Sequence, residues 1–124
     1  HAQDHGRGVL TILEKGRIGE TYMMGGDCEM NIVDTARVVL REMGLGEQML
    51  EFVNDRPGQD RRYAISFNKI RNELGWQPSV TFQQGVQEMV EWYRKNPGWW
   101  QPIKQSSGYK QWYAGQVEQN GRTF

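Results

Sequence analysis

The stretch FNKIRNELGWQPSVTFQQGVQEMVEWYRKN, residues 67–96, carries the clearest structural signals in this 124-residue chain. Thr81 followed three residues later by Gln84 is a capping box, which marks a helix start. Phe82, Val86, Met89, Val90 and Tyr93 then recur at helical spacing, and Pro97-Gly98 ends the run. Upstream, Ser66 is placed to cap a second helix over 67–76. That helix must stop near Gly75, because Pro78 follows and disfavours helical backbone in the residue before it.

Working outward, residues 4–16 predict a helix. Asp4 stands at its start, Val9, Leu10, Ile12 and Leu13 form an apolar stripe, and Gly16 suits the C-terminal stop. Residues 31–44 predict another, with Ile32, Ala36, Val39 and Met43 on one face and Gly44 as the stop. Three short runs read as strands: GETYMMGG at 19–26, MLEFVND at 49–55 and RYAIS at 62–66. The tail from 97 to 124 is rich in aromatics without clear period and reads as irregular, with a short helix near Tyr109 to Val117. The expected fold class is therefore mixed α/β (α+β): one domain over 1–124 with about four helices and three short strands. No repeated strand–helix–strand unit closes into a self-contained doubly wound sheet.

A chain of this length buries roughly two-thirds of its unfolded surface, enough for one real core. Its residues are 37% hydrophobic and the mean hydropathy is −0.78, on the polar side; five Trp, five Tyr and four Phe compensate with large buried areas. Fifteen basic and fifteen acidic residues cancel, which argues against a nucleic-acid module. The lone Cys28 excludes an internal disulfide and any multi-cysteine zinc site. No apolar run approaches the roughly 20 residues of a membrane span, so neither nucleic acid nor membrane is expected as a partner, and the expected setting is cytoplasmic. The start at His1 rather than Met suggests a processed, tagged or truncated product.

Few side chains suggest chemistry. His1 and His5 are spaced to ligate a metal, but a terminal pair more often frays. Gly25-Gly26 lacks the spacing of a dinucleotide or phosphate loop, and Cys28 has no basic neighbour in sequence to activate it. NDRPGQDRRYAIS, residues 54–66, is different: Pro57-Gly58 makes a turn, and Arg56, Arg61 and Arg62 present planar forks that fit phosphate. Its bland reading has Asp55 and Asp60 pairing those arginines in a solvated turn. The tail aromatics, including Trp99, Trp100, Trp112 and Tyr113, have two readings as well: a stacking platform for a base or sugar, or packing of a core or subunit contact.

DRPGQDRRYAIS together with KIRNELGWQPSVTFQQGVQEMVEWYRKN closely resembles the C-terminal region of dTDP-glucose 4,6-dehydratases, extended short-chain dehydrogenases/reductases that act on nucleotide sugars. DHGRGVLTILEKGRIGETYMMGG and WWQPIKQSSGYKQW are similar to flanking parts of the same family, so the likeness runs from about Asp4 to Trp112. GDP-mannose 4,6-dehydratases are the nearest alternative. The resemblance implies a nucleotide-diphosphate-sugar-binding region without a complete Rossmann sheet, catalytically incomplete on its own. It implies no cofactor in this chain, NAD belonging to the full-length family with its glycine-rich motif and Tyr-x-x-x-Lys pair. It further implies a dTDP-sugar ligand, and as partner either a Rossmann domain or a second copy in a homo-oligomer. A stand-alone assembly domain with no ligand role is the alternative. By position, Arg56 resembles the family's diphosphate- or ribose-contacting arginine, Asn31 a nucleotide-contacting asparagine, and Tyr109 a tail tyrosine near the ligand, while the resemblance leaves Arg61 and Arg62 mainly structural. Gln59 stands where the family usually has histidine, and Met23-Met24 replaces the usual Asn-Ile.

Overall fold

The computed structural model describes the backbone of residues 1–52 and 58–119, with side chains through residue 115 in the last helix. Among these residues there are six α-helices and a single 3-10 turn at Glu47–Met49. The helices are α1 (Ala2–Lys15), α2 (Ile32–Met43), α3 (Asn68–Leu74), α4 (Phe82–Lys95), α5 (Pro97–Gln105) and α6 (Ser107–Gln119).

The mixed α/β expectation is corrected: no described residue lies in a strand. The 19–26 and 62–66 runs carry no regular secondary structure, Gly19 lying in a turn at φ 86°, and they pass each other in opposite directions. Lys69 reaches Glu20 and the Thr21 carbonyl, Gly25 sits against Ile65, and Arg62 pairs with Glu29. No ladder hydrogen bonds join them among the described residues. Alternating apolar residues dictate extended backbone, but a strand also needs an edge to pair with, and two isolated strands are at best marginal. Of the 49–55 run, Met49 closes the 3-10 turn, and residues 53–55 lie outside the described residues.

The first core is the α2–α4 contact, where Val38, Val86 and Val90 are buried with Val39 and Phe82 packed against them. Of the stripe expected on α4, Phe82, Val86 and Val90 are used, while Met89 and Tyr93 are exposed. On α2 the buried position is Val38, whereas Ile32 is 78% exposed and Met43 is also exposed. Both helix starts follow local chemistry. The Asn31 side chain accepts from the Asp34 amide at 2.7 Å, and Thr81 and Gln84 complete their capping box. Gly44 and Gly75 end α2 and α3 in the left-handed region, φ 75° in each. Ser66 Oγ accepts from the Asn68 amide at 3.3 Å, one residue ahead of the N-cap position, which Phe67 occupies. Arg94 of α4 donates to the Met43 carbonyl at 2.8 Å, satisfying an orphan acceptor at the end of α2.

The second core joins α1 to α3 and the link after it. Ile70 is fully buried, and Trp76 is buried with its ring edge-on to Phe67 at 6.2 Å. Trp76 Nε1 donates to the Asp4 carbonyl at 3.1 Å. Gly8 is buried here, and a Cβ would meet Met24 Sδ at 2.3 Å and the Trp76 ring at 3.0 Å. Asp4 does not cap α1 as expected; His1 does, its Nδ1 accepting from the Gln3 amide. The inward face of α1 is thus small and polar, and Val9, Leu10 and Leu13 point outward, Leu13 at 81% exposure.

The short helix expected near Tyr109 to Val117 lies within α6, and α5 is helical where an irregular segment was expected. Pro97, at the first position of α5, has the φ a helix start needs, and Ser106 Oγ accepts from the Tyr109 amide to open α6. Among the described residues, α6 packs on α5 and on no other helix.

Candidate functional site

Residues 24–28 form a wall between two clefts of about 770 and 760 Å³. Gly25 permits this arrangement: a Cβ there would lie 2.2 Å from the Ile65 carbonyl oxygen, so only glycine lets the two extended segments touch.

The first cleft lies between the start of α1 and residues 76–83. Met24, Met30, Trp76 and Phe82 make it largely apolar, with His5 and the exposed Cys28 at its edge. Its base is the Asp4 network. The Asp4 carboxylate accepts from the Ser79 and Val80 amides at 3.0 Å each, from Ser79 Oγ at 2.8 Å and from Arg7 Nη2 at 2.8 Å. Burial pushes this carboxyl up, but the bonds from Val80 and Ser79 and the Arg7 charge outweigh it and hold the pKa at about 2. His1 Nε2 lies 3.6 Å from Glu88.

The second cleft runs between residues 24–29 and 62–68 and is the more polar. Two guanidiniums, Arg62 and Arg71, share it with two carboxylates, Asp27 and Glu29. Arg62 meets Glu29 side-on, through Nε to Oε1 and through Nη2 to Oε2 at 2.8 Å. That hydrogen bond holds the Glu29 carboxyl below its ordinary range and Arg62 above its own. Arg71 lies over the Phe67 ring, 5.6 Å from its centroid, and donates to Asn68 Oδ1 at 3.0 Å. Asp60 pairs with no arginine among the described residues; it accepts from Tyr63 Oη at 2.5 Å, which raises the phenol's pKa.

Of the four site residues expected from sequence, Arg56 lies outside the described residues. Asn31 is exposed, at the start of α2, and its Nδ2 donates to Asp34 Oδ2. Gln59 is half-buried, just after the Gly58 turn. Tyr109 is half-buried on α6, stacked on Tyr113 with centroids 6.0 Å apart and near Trp112. These positions lie on separate segments, and no contact between Asn31 and Tyr109 is present. Glu29 and Arg71 were missed by sequence reasoning. Glu29 has no signal in its own segment, since its partner is 33 positions away; Arg71 could have been found from its spacing of three after Asn68.

The family described as GDP-mannose 4,6 dehydratase matches residues 1–89. A dTDP-glucose 4,6-dehydratase of Streptomyces niveus is 45% identical over 84% of this chain and 31% of its own length. One from Mycolicibacterium smegmatis is 40% identical over 94% of this chain and 35% of its own. The crystal structure of a dTDP-glucose 4,6-dehydratase from Streptomyces venezuelae, with NAD and TYD bound, superposes with a TM-score of 0.80 at 40% identity, covering 84% of this chain and 32% of that one. The chain thus spans about a third of the length of the curated relatives it matches. NAD needs a glycine turn that opens directly into a helix N-terminus. Here the backbone continues without helix after Gly26 until α2 begins at Ile32, so these residues do not fit that group. Family match and superposition agree with the helical frame built above, and the chain belongs to the GDP-mannose 4,6 dehydratase family.

Proposed function

We propose that this chain is the nucleotide-diphosphate-sugar-binding part of a dTDP-glucose 4,6-dehydratase-like protein, with a cytoplasmic setting as corollary. The observation that carries the reading is the second cleft, where Arg71 and the Glu29-paired Arg62 stand between residues 24–29 and 62–68. Arg56 is assigned to the diphosphate, Asn31 and Gln59 to the nucleoside, and Tyr109 to the far side of the ligand. The names of the relatives favour a dTDP over a GDP nucleotide. The residues for hydride transfer and proton transfer are assigned to the part of the family's length outside this chain, which is catalytically silent by itself. Titrating dTDP against the chain by calorimetry tests this. Binding that Arg56→Ala weakens about tenfold, one charge-assisted contact's worth, supports it. No heat at millimolar dTDP contradicts it.

A second reading draws on a different observation, the outward stripe of Val9, Leu10 and Leu13 on α1. It makes the chain an assembly module whose α1 face is covered in a homo-oligomer. Sedimentation velocity on the chain and on Leu13→Asp decides. A dimer lost in the variant favours this reading, and a monomer at all concentrations removes it.

A further inference from the structure

The two walls of the polar cleft run in opposite directions, and side chains hold them in step. Lys69 donates to Glu20 at 2.6 Å and to the Thr21 carbonyl at 2.9 Å, Gly25 lies against Ile65, and Arg62 meets Glu29 side-on. Each advance along one segment is matched by a retreat along the other. In a sheet, ladder hydrogen bonds fix such a register, but none joins these segments among the described residues. At the end where residues 58–61 enter the wall, the described tie is Arg62 to Glu29. That end adjoins three of the residues assigned to the nucleotide. Glu29 stands two positions before Asn31, and Arg62 follows Gln59 by three and Arg56 by six.

We infer that Arg62 and Glu29 are a positioning pair, which touches no ligand and fixes the segment bearing Asn31 against the segment bearing Arg56 and Gln59. This rests on the proposed nucleotide-diphosphate reading and adds to it the device that sets the width of the site. A side-on pair meets at two points, so it fixes orientation as well as separation. Glu29 takes Nε and Nη2 with both carboxylate oxygens, which commits that edge of the guanidinium to the opposite wall. At 68% and 54% exposure the pair is screened by water, so its loss loosens the cleft end and leaves both cores folded.

The test is a double-variant cycle on the whole chain: wild type, Glu29→Gln, Arg62→Gln and the two together. Each is read by amide NMR without ligand, by urea denaturation and by calorimetric titration of dTDP. Positioning predicts that both single variants shift the same amides in 24–31 and 59–66, while those of Val38, Val86 and Val90 stay in place. It predicts dTDP binding about two- to fivefold weaker in either single variant, and no weaker in the double, with the urea midpoint nearly unmoved. Unchanged affinity in both single variants overturns the inference, since the pair is then structural only. Affinity lost in Arg62→Gln but not in Glu29→Gln also overturns it, because Arg62 then meets the ligand itself. Both results leave the nucleotide reading standing. Failure of the wild type to bind dTDP removes that reading and the affinity claim with it; the ligand-free shifts then decide the positioning, and amides left unmoved overturn it.

Discussion

Asp4 sits one turn into α1, yet its carboxylate serves residues 79 and 80, where two backbone amides and a hydroxyl converge on it. Arg7 completes the arrangement by donating to Asp4, to Ser79 Oγ and to the Gln77 carbonyl at 2.8 Å. Removing the carboxylate leaves the part-buried Ser79 and Val80 amides without their acceptor, at about 1 kcal/mol. Asp4→Ala should therefore lower the unfolding free energy by that amount, read from the shift in denaturant midpoint, while Asp4→Asn, which keeps one acceptor oxygen, should lose less. The pH dependence has a definite sign. The folded pKa of about 2 lies below the ordinary 3.8, so the contribution is complete above about pH 4 and is lost as pH falls through 2. An acid titration of stability should show that loss in wild type and not in Asp4→Ala. Sequence reasoning placed Asp4 correctly at a helix start and missed its task, because its partners are 75 and 76 positions away. Local patterns carry capping and turn chemistry; they do not carry which distant amides will need an acceptor.

Among the elements, helices with a local stop and start were legible. α2 and α4 fall within a residue or two of expectation, since Asn31, Gly44, Thr81 and Pro97 each fix a backbone state by themselves. Thr81→Ala should cost about 1 kcal/mol, with α4 fraying first, as read by amide exchange at residues 82–85. Uniform protection there in both proteins would show that tertiary packing alone holds the helix start. The strands were misread because alternation reports extended backbone, and pairing depends on an edge elsewhere. α5 was read as irregular and α6 only as a short helix near Tyr109 to Val117, because their apolar residues have no clear period: Trp99, Ile103, Trp112 and Tyr113 are all exposed. Proline at the start of α5 and a serine cap at the start of α6 organise them instead. The polar cleft was half legible. The arginine-rich stretch raised the question of an anion, but the Glu29 that answers Arg62 comes from another segment.

At the scale of the whole molecule, the accessible surface is 10213 Å², against about 6,800 Å² for a compact monomer of this mass. Buried hydrophobics are few: Val38, Ile70, Trp76, Val86 and Val90. Two small cores, one between α2 and α4 and one around Ile70 and Trp76, hold helices that leave much apolar side-chain surface in water. Such a frame suits a part that presents loops and clefts rather than one that encloses a reaction. Residues 24–29 and 62–68 are the proposed lining of a nucleotide-diphosphate site, and amide NMR during a dTDP titration reads it residue by residue. Saturable shifts should concentrate in those two segments and at Arg71. Shifts confined to α5 and α6, or none at millimolar ligand, would contradict it.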